Sequence, residues 1–190
     1  METNSDNLIL KNIEERFNNL FLVSENTCLK GGFEEPFYKS ADKVSNAEIR
    51  FTRNYESSAL HEIAHWCVAG KDRRNRDDYG YWYVPDGRND KQQEEFFRVE
   101  VFPQAYELCL SLSCKLDFTF SLDNLNGSML LDSDFKENVF TKVEEILSIK
   151  PNSRLGMLME TYYLCFWKQR DAVMMNKHLK DAFYLIKDNL

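Results

Sequence analysis

Two histidines and a glutamate stand close together in the stretch SSALHEIAHWCVAGK. They are His61, Glu62 and His65, and they form the pattern H-E-x-x-H. On a helix, residues four apart differ by about 40° and rise about 6 Å, so both imidazoles project from one face, one turn apart. Two ring nitrogens placed in this way can bind one metal ion. The pattern therefore predicts a metal-binding helix, with Glu62 about 100° round from His61 and able to reach the open side of the ion.

Two histidines leave a metal site incomplete, and a carboxylate from another helix is the expected third ligand. The stretch KQQEEFFRVEVFPQAYE offers four candidates: Glu94, Glu95, Glu100 and Glu107. The first two lie near the predicted helix start, where acids are favoured and usually solvated. Glu100 instead stands between two valines and close to three phenylalanines, and an acid in apolar surroundings needs a compensating charge. We therefore predict His61, His65 and Glu100 as the metal ligands.

This set of ligands suits two kinds of chemistry. Zinc held by two His and one Glu activates a water for amide hydrolysis, with Glu62 as the general base. Iron(II) held in the same way leaves positions open for O₂ and supports oxygenation. The spacing alone favours the zinc peptidase. A third possibility is a binding module in which the metal only stabilises the fold.

The motif needs a helix and a support that positions it. Ser57 or Ser58 can cap the start of this helix, and Gly70 follows its last apolar residues. The preceding AEIRFTRNY alternates Ile49 and Phe51 with polar residues, which is typical of a strand. Upstream, NTCLKGGFEEPFYKSAD predicts two short strands separated by a turn at Gly31 and Gly32.

Other elements follow from the hydrophobic pattern. Near the N-terminus, DNLILKNIEERFNNLFLV predicts an amphipathic helix that buries Leu8, Ile13, Phe17, Leu20 and Phe21. The predicted elements beyond the motif are a short aromatic strand over 79–84, a helix from Lys91 past Leu112, a turn over 122–127, and helices over 132–148, 152–168 and 171–188.

These elements predict the fold class α+β, a mostly helical chain with a small β-sheet and a zincin-like HExxH helix. The length of 190 residues favours one domain over 1–190. Within it, residues 25–130 carry the site and 131–190 form a helical packing region. The third histidine, His178, stands among lysines and is expected to be solvated.

Composition excludes several classes of function. The net charge of −7 and the pI of about 5.1 disfavour direct binding to nucleic acid. No apolar run is long enough to cross a membrane, and the N-terminal residues lack the pattern of a secretory signal. Five cysteines without a C-x-x-C pair indicate reduced thiols and a cytoplasmic protein.

The order of motifs from 59 to 105 resembles that of a known family. The matching pieces are HEIAHWC, GKDRR, DYGYWYVPDGR and VEVFPQA, with NTCLKG, EEPFY and SAD before them and DNLNG after them. Together they resemble the elongation factor P hydroxylase family over about residues 25–130. The resemblance shifts the expected function from peptidase to oxygenase.

The resemblance implies a non-haem iron hydroxylase acting on the modified lysine of translation elongation factor P, in the last step of that modification. His61, His65 and Glu100 match the ligands of Fe(II), while Glu62 matches the motif acid, with a catalytic role that the resemblance leaves open. O₂ is the implied co-substrate, and no 2-oxoglutarate is expected. Zinc or nickel could replace iron in purified protein, since affinity favours later divalent metals.

Two further groups are candidates for contacts with the substrate. Tyr81, Trp82 and Tyr83 could line a channel for a long aliphatic side chain, and Asp86 could meet its ammonium group, although core packing and a simple Asp-Gly turn are the competing interpretations.

A basic cluster follows the motif helix and could attract an acidic partner. Its members are Lys71, Arg73, Arg74 and Arg76. A solvated loop at the helix C-terminus is the competing interpretation.

Overall fold

The computed structural model describes residues 4–80, 90–120, 133–149 and 152–189. Two compact units emerge, Met1–Tyr81 and Trp82–Leu190. The predicted α+β class is confirmed, because most of the described residues are helical and a small sheet accompanies them. The prediction of one domain over 1–190 stays a prediction. In the described ranges, no helix combines the length and apolar character that crossing a membrane requires.

The first unit begins with helix α1, Asn4–Phe21. Its buried stripe consists of Leu10, Ile13, Phe17 and Phe21, spaced by three, four and four residues. This spacing keeps the side chains on one helix face. Leu8 was predicted to be buried, but it is 61% exposed. It lies five residues before Ile13 and therefore falls outside the stripe.

A three-stranded sheet follows, in the order β1-β3-β2. The strands are β1 (Thr27–Phe33), β2 (Phe37–Lys39) and β3 (Ala47–Thr52). The central strand β3 pairs in parallel with β1 and antiparallel with β2. Ile49 and Phe51 are fully buried, so the predicted alternation is confirmed.

The predicted turn at Gly31 and Gly32 is wrong, because both glycines lie inside β1. The pairing with β3 shifts between Lys30 and Phe33, and Gly32 adopts a φ of +90° that side chains rarely tolerate. A Cβ on Gly31 would come within 2.5 Å of the Phe51 ring. The two glycines therefore form a bulge over a buried aromatic residue, and the strand continues through it.

Helix α2, Glu56–Val68, carries the H-E-x-x-H motif as predicted. Its apolar face is buried, and Ala59, Leu60 and Ile63 are completely inaccessible. The predicted serine caps are wrong, because Tyr55 holds the cap position without a side-chain hydrogen bond. The Ser58 Oγ instead accepts a hydrogen bond from the Thr52 backbone N–H at 3.0 Å. This contact joins the end of β3 to the first turn of α2.

Two short 3₁₀ segments, Arg73–Asn75 and Asp77–Gly80, follow α2. The predicted strand over 79–84 is wrong at its start, because Tyr79 belongs to the second segment and has a φ of 56°. A left-handed residue cannot continue an extended strand. The rest of that predicted strand lies outside the described residues.

The described part of the second unit contains four helices. Their bounds are α3 (Asp90–Cys114), α4 (Ser133–Ser148), α5 (Arg154–Phe166) and α6 (Met175–Lys187). All four were predicted, although α6 begins about four residues late. Its start is delayed because the Asp171 carboxylate accepts a hydrogen bond from the Val173 N–H at 3.0 Å, which forms a turn instead. The predicted turn over 122–127 lies outside the described residues.

Aromatic and aliphatic side chains form the core of this unit. Phe97 of α3 stacks on Phe135 of α4, with ring centroids 4.7 Å apart. Leu158 of α5 and Phe183 of α6 are completely buried. The C-terminal helices therefore pack through the apolar stripes that the sequence predicts.

Candidate metal centre

The two motif histidines lie one turn apart on α2, and their side chains meet. The Nε2 atoms of His61 and His65 are 3.0 Å apart, and the ring planes are inclined at 72°. Both rings are half-buried. The pair therefore directs two nitrogen atoms toward one point, as the helical spacing predicts.

This spacing suits two ligands of one ion. Metal–nitrogen bonds are about 2.0–2.1 Å long, so two nitrogens on one ion lie roughly 3.0–3.4 Å apart. Burial lowers the pKa of His65 well below its ordinary value, and the neighbouring His61 lowers it further. A lowered pKa keeps the imidazole neutral, which is the form that binds metals. The spacing of the two nitrogens and the lowered pKa of His65 both fit a metal-binding pair.

An aromatic cluster holds α2 in place on the side of Trp66. Trp66 is completely buried and contacts Phe17 and Phe21 of α1, with ring centroids 5.1 and 4.8 Å away. The Arg74 guanidinium lies 5.3 Å from the Trp66 ring centroid and forms an ion pair with Glu25 at 2.8 Å. These contacts support the helix in the turn that contains His65.

The contacts of Arg74 separate it from the rest of the predicted basic cluster. Arg74 is half-buried, whereas Lys71, Arg73 and Arg76 are exposed. The Arg73 guanidinium also donates a hydrogen bond to the Tyr79 carbonyl at 3.4 Å. Docking of an acidic partner at this cluster stays a prediction, and it concerns the three exposed cations.

The motif acid, Glu62, is half-buried on α2. Its charge acts on Tyr79, a residue that the sequence analysis had treated only as the start of a strand. Burial raises the pKa of Tyr79 well above its ordinary value, and among the neighbouring groups Glu62 contributes most to that rise. Tyr79 is therefore a buried phenol in the electrostatic field of the motif.

Glu100 lies on α3 and is only 2% exposed, as expected for an acid among apolar neighbours. The competing candidate Glu95 is exposed, and the side chain of Glu94 is not among those described. Glu107 is buried as well. Burial therefore favours Glu100 over Glu95, although it does not separate Glu100 from Glu107.

The buried polar residues of α3 form a stripe that includes Glu100. Gln104, Glu107 and Ser111 follow it at intervals of four, three and four residues, and each is at most 5% exposed. This spacing places the four side chains on one face of the helix. The sequence motifs did not indicate Gln104. The signal was the helical spacing of polar residues inside VEVFPQAYELCLS, a segment that otherwise reads as apolar.

The prediction that His178 is solvated is wrong. Its ring is half-buried and stacks on Trp167, with ring centroids 5.7 Å apart and an interplanar angle of 10°. The Nδ1 atom is hydrogen-bonded to the Tyr163 hydroxyl at 2.7 Å. Flanking lysines suggested a polar face, but α6 turns this position toward α5. His178 has a packing role in the second unit.

All five cysteines are in the thiol form, as predicted. Tyr81, Trp82, Tyr83 and Asp86, the predicted substrate contacts, lie outside the described residues.

A helix that presents a close pair of imidazoles beside a glutamate is typical of metal-dependent enzymes. Residues 16–177 match the family described as elongation factor P hydroxylase. The chain is 40% identical over 169 residues to a protein of Haemophilus influenzae (strain ATCC 51907 / DSM 11121 / KW20 / Rd) named elongation factor P lysine hydroxylase. That alignment covers 88% of this chain and 94% of the relative. The chain belongs to the elongation factor P hydroxylase family, as its motifs predicted.

Proposed function

We propose that this protein hydroxylates the modified lysine of translation elongation factor P, as the final step of that modification. The support is membership of the elongation factor P hydroxylase family and the 40% identity to a protein named elongation factor P lysine hydroxylase. The paired imidazoles of α2 are the single structural observation that carries the proposal, because they fit the metal ion that such chemistry requires.

The proposed metal ligands are His61, His65 and Glu100. Each side chain offers one ligand atom, a ring nitrogen from His61 and His65 and a carboxylate oxygen from Glu100. The burial of Glu100 is a further argument, since an ionised carboxylate away from water needs a cation or hydrogen-bond donors near it. Two His and one carboxylate form the donor set of non-haem iron(II) oxygenases, so we propose Fe(II) for the active enzyme.

Fe(II) bound by His61, His65 and Glu100 would supply the redox chemistry that activates O₂. In the overall reaction one oxygen atom enters a C–H bond of the lysine side chain, and the other is reduced to water. This balance requires two electrons and two protons from a reductant, and no 2-oxoglutarate is proposed as their source. Zinc or nickel acquired during purification would occupy the same ligands without supporting the reaction.

The chain's own residues would then position the substrate and exclude water. Glu62 is proposed as a catalytic residue, since it follows His61 directly on α2 and its carboxylate can contact a cationic substrate. Tyr81, Trp82 and Tyr83 are proposed to line the aliphatic part of the lysine, and Asp86 to meet an ammonium group. We also propose a cytoplasmic location, which suits five cysteines in the thiol form and a substrate that acts in translation.

Intact-mass analysis of elongation factor P tests the proposal. The modified factor is incubated with the protein, Fe(II), O₂ and a chemical reductant. We expect a mass gain of one oxygen atom with the wild-type protein and none with His65→Ala. His178→Phe is a matched control, because it removes a histidine from a packing position, and it should retain the activity.

The zinc peptidase suggested by the motif alone predicts a different result. A peptidase loaded with zinc would cleave peptides and would need Glu62 for every turnover. Peptide cleavage by the zinc form, together with no oxygen gain under any reductant, would replace the hydroxylase proposal.

A further inference from the structure

The hydroxyl of Tyr79 is a buried polar group that the sequence motifs do not explain. Tyr79 is only 6% exposed, and its hydroxyl has no hydrogen-bond partner among the described residues. Buried hydroxyls usually have a partner, because leaving one unpaired is unfavourable. Phenylalanine would fill the same space without this cost. The hydroxyl therefore needs a hydrogen-bond partner that is not among the described residues.

The backbone around Tyr79 is held in a conformation that is itself unfavourable. Asp78 and Tyr79 have φ values of 45° and 56°, in the left-handed region that non-glycine residues rarely occupy. The Asp78 Oδ1 accepts a hydrogen bond from the Tyr38 N–H at 2.9 Å. The Asp77 Oδ1 accepts from the Ser40 N–H and from its hydroxyl, each at 2.8 Å. The two adjacent carboxylates thus attach the second 3₁₀ segment to β2 and to Ser40, which follows β2.

The ring of Tyr79 is fixed as well as its backbone. It stacks on Tyr38 of β2, with centroids 4.3 Å apart and planes inclined by 13°. Strained residues persist where the surrounding structure determines their position, and they cluster at functional sites. The sheet edge therefore holds the Tyr79 hydroxyl at one place inside the first unit.

That place lies within the electrostatic field of Glu62. Desolvation and then the Glu62 charge raise the pKa of Tyr79 well above its ordinary value, so the phenol is neutral. Its oxygen keeps lone pairs for a donor. A carboxylate and a neutral phenolic oxygen near each other suit a protonated amine, which brings one positive charge and several N–H donors. The substrate proposed above is a lysine derivative, and its side chain carries such a group.

We propose that the Tyr79 hydroxyl and the Glu62 carboxylate together bind a protonated amine of the substrate side chain. Glu62 supplies the charge, and Tyr79 supplies an accepting oxygen that fixes the direction of the ammonium group. This inference rests on the proposed hydroxylase function and adds a substrate-binding residue to it. The left-handed backbone at Tyr79 and its hydroxyl, which has no hydrogen-bond partner among the described residues, both gain a role when the amine is bound.

The variant Tyr79→Phe tests the proposal, because it removes the hydroxyl and keeps the stacked ring. A lost hydrogen bond to a charged group lowers affinity by roughly tenfold or more. We expect KM for modified elongation factor P to rise by about that factor, with kcat little changed. The Kd of modified elongation factor P for the metal-free variant should rise by a similar factor. The melting temperature should equal or exceed that of the wild type, since an unpaired buried hydroxyl has been removed.

Tyr38→Phe is the matched control, because it alters the other ring of the same stack. The Tyr38 hydroxyl donates to the Arg74 carbonyl at 2.8 Å, so its removal breaks a structural hydrogen bond. We expect this variant to lower the melting temperature by about 2–4 °C and to leave KM unchanged.

Two results would overturn the inference. One is a KM and Kd of Tyr79→Phe within twofold of the wild type. The other is a fall in melting temperature together with a fall in kcat, which would indicate a structural hydroxyl. Failure of the proposed function looks different, because the wild-type protein itself would then add no oxygen to the modified factor.

Discussion

Helices α2 and α3 both carry polar side chains within apolar sequences, but they do so in different ways. In α2, His61 and His65 are half-buried and contact each other at 3.0 Å. In α3, Glu100, Gln104 and Glu107 are almost completely buried and follow one helix face. The first arrangement is visible in the sequence as a motif, whereas the second becomes visible only when burial is known.

The two helices show that residue type alone can indicate a site made of histidines, whereas a site made of glutamate or glutamine also needs evidence of burial. Histidines are rare in this chain, so two of them one turn apart indicate chemistry even before the fold is known. Glutamate and glutamine are common on helix surfaces, and their types alone indicate little. Burial changes their meaning, because a buried polar side chain needs a partner or a countercharge.

The largest effect is expected for the histidine pair. His65→Ala removes a proposed ligand atom, so Fe(II) affinity should fall by more than about 100-fold, and hydroxylation should be lost with it. Anaerobic equilibrium dialysis against Fe(II) measures the affinity. His178→Phe should bind the metal normally. Equal losses in the two variants would mean that the motif pair has no special role.

The next largest effect is expected at Glu100. Glu100→Gln keeps the size of the side chain and removes its charge, so Fe(II) affinity should fall by at least about tenfold. Glu95→Gln is the control on the same helix, because Glu95 is exposed. If Glu107→Gln lowered the Fe(II) affinity and Glu100→Gln did not, Glu107 would replace Glu100 as the proposed third ligand.

A smaller effect is expected one turn further along α3. Gln104 lies four residues after Glu100 on the same face, where its amide can orient the carboxylate. We expect Gln104→Leu to lower Fe(II) affinity by about tenfold at most, as a supporting residue does. Ser111 lies three turns from Glu100, so Ser111→Ala should leave the Fe(II) affinity unchanged. A normal affinity in Gln104→Leu would limit the functional part of the stripe to Glu100.

The smallest effect is expected at the histidine outside the motif. His178→Phe preserves stacking on Trp167 and loses the hydrogen bond to Tyr163. The free energy of unfolding should fall by about 1 kcal/mol, as measured by urea denaturation, with hydroxylation unchanged. Reduced metal content in this variant would contradict the packing role assigned to His178.

Local patterns predicted the elements of the fold well and their details less well. The helices and the alternation of Ile49 and Phe51 follow from hydrophobic periodicity, which depends on near neighbours in sequence. The errors at Gly31 and Ser58 share a cause. Gly31 is small because the Phe51 ring lies against it, and Ser58 bonds to the Thr52 backbone rather than capping its own helix. Both roles are set by a residue on another element.

The sequence by itself determined the pairing of His61 with His65, because the geometry of one helical turn is the same in any protein. It also determined the family, through motifs whose order and spacing can be compared directly. Only the tertiary structure decided that Glu100 is buried and that His178 packs against Trp167. It also decided that the Tyr79 hydroxyl lies in the electrostatic field of Glu62 with no hydrogen-bond partner among the described residues. Each of these depends on side chains distant in sequence, and desolvation has no local signature in the order of residues.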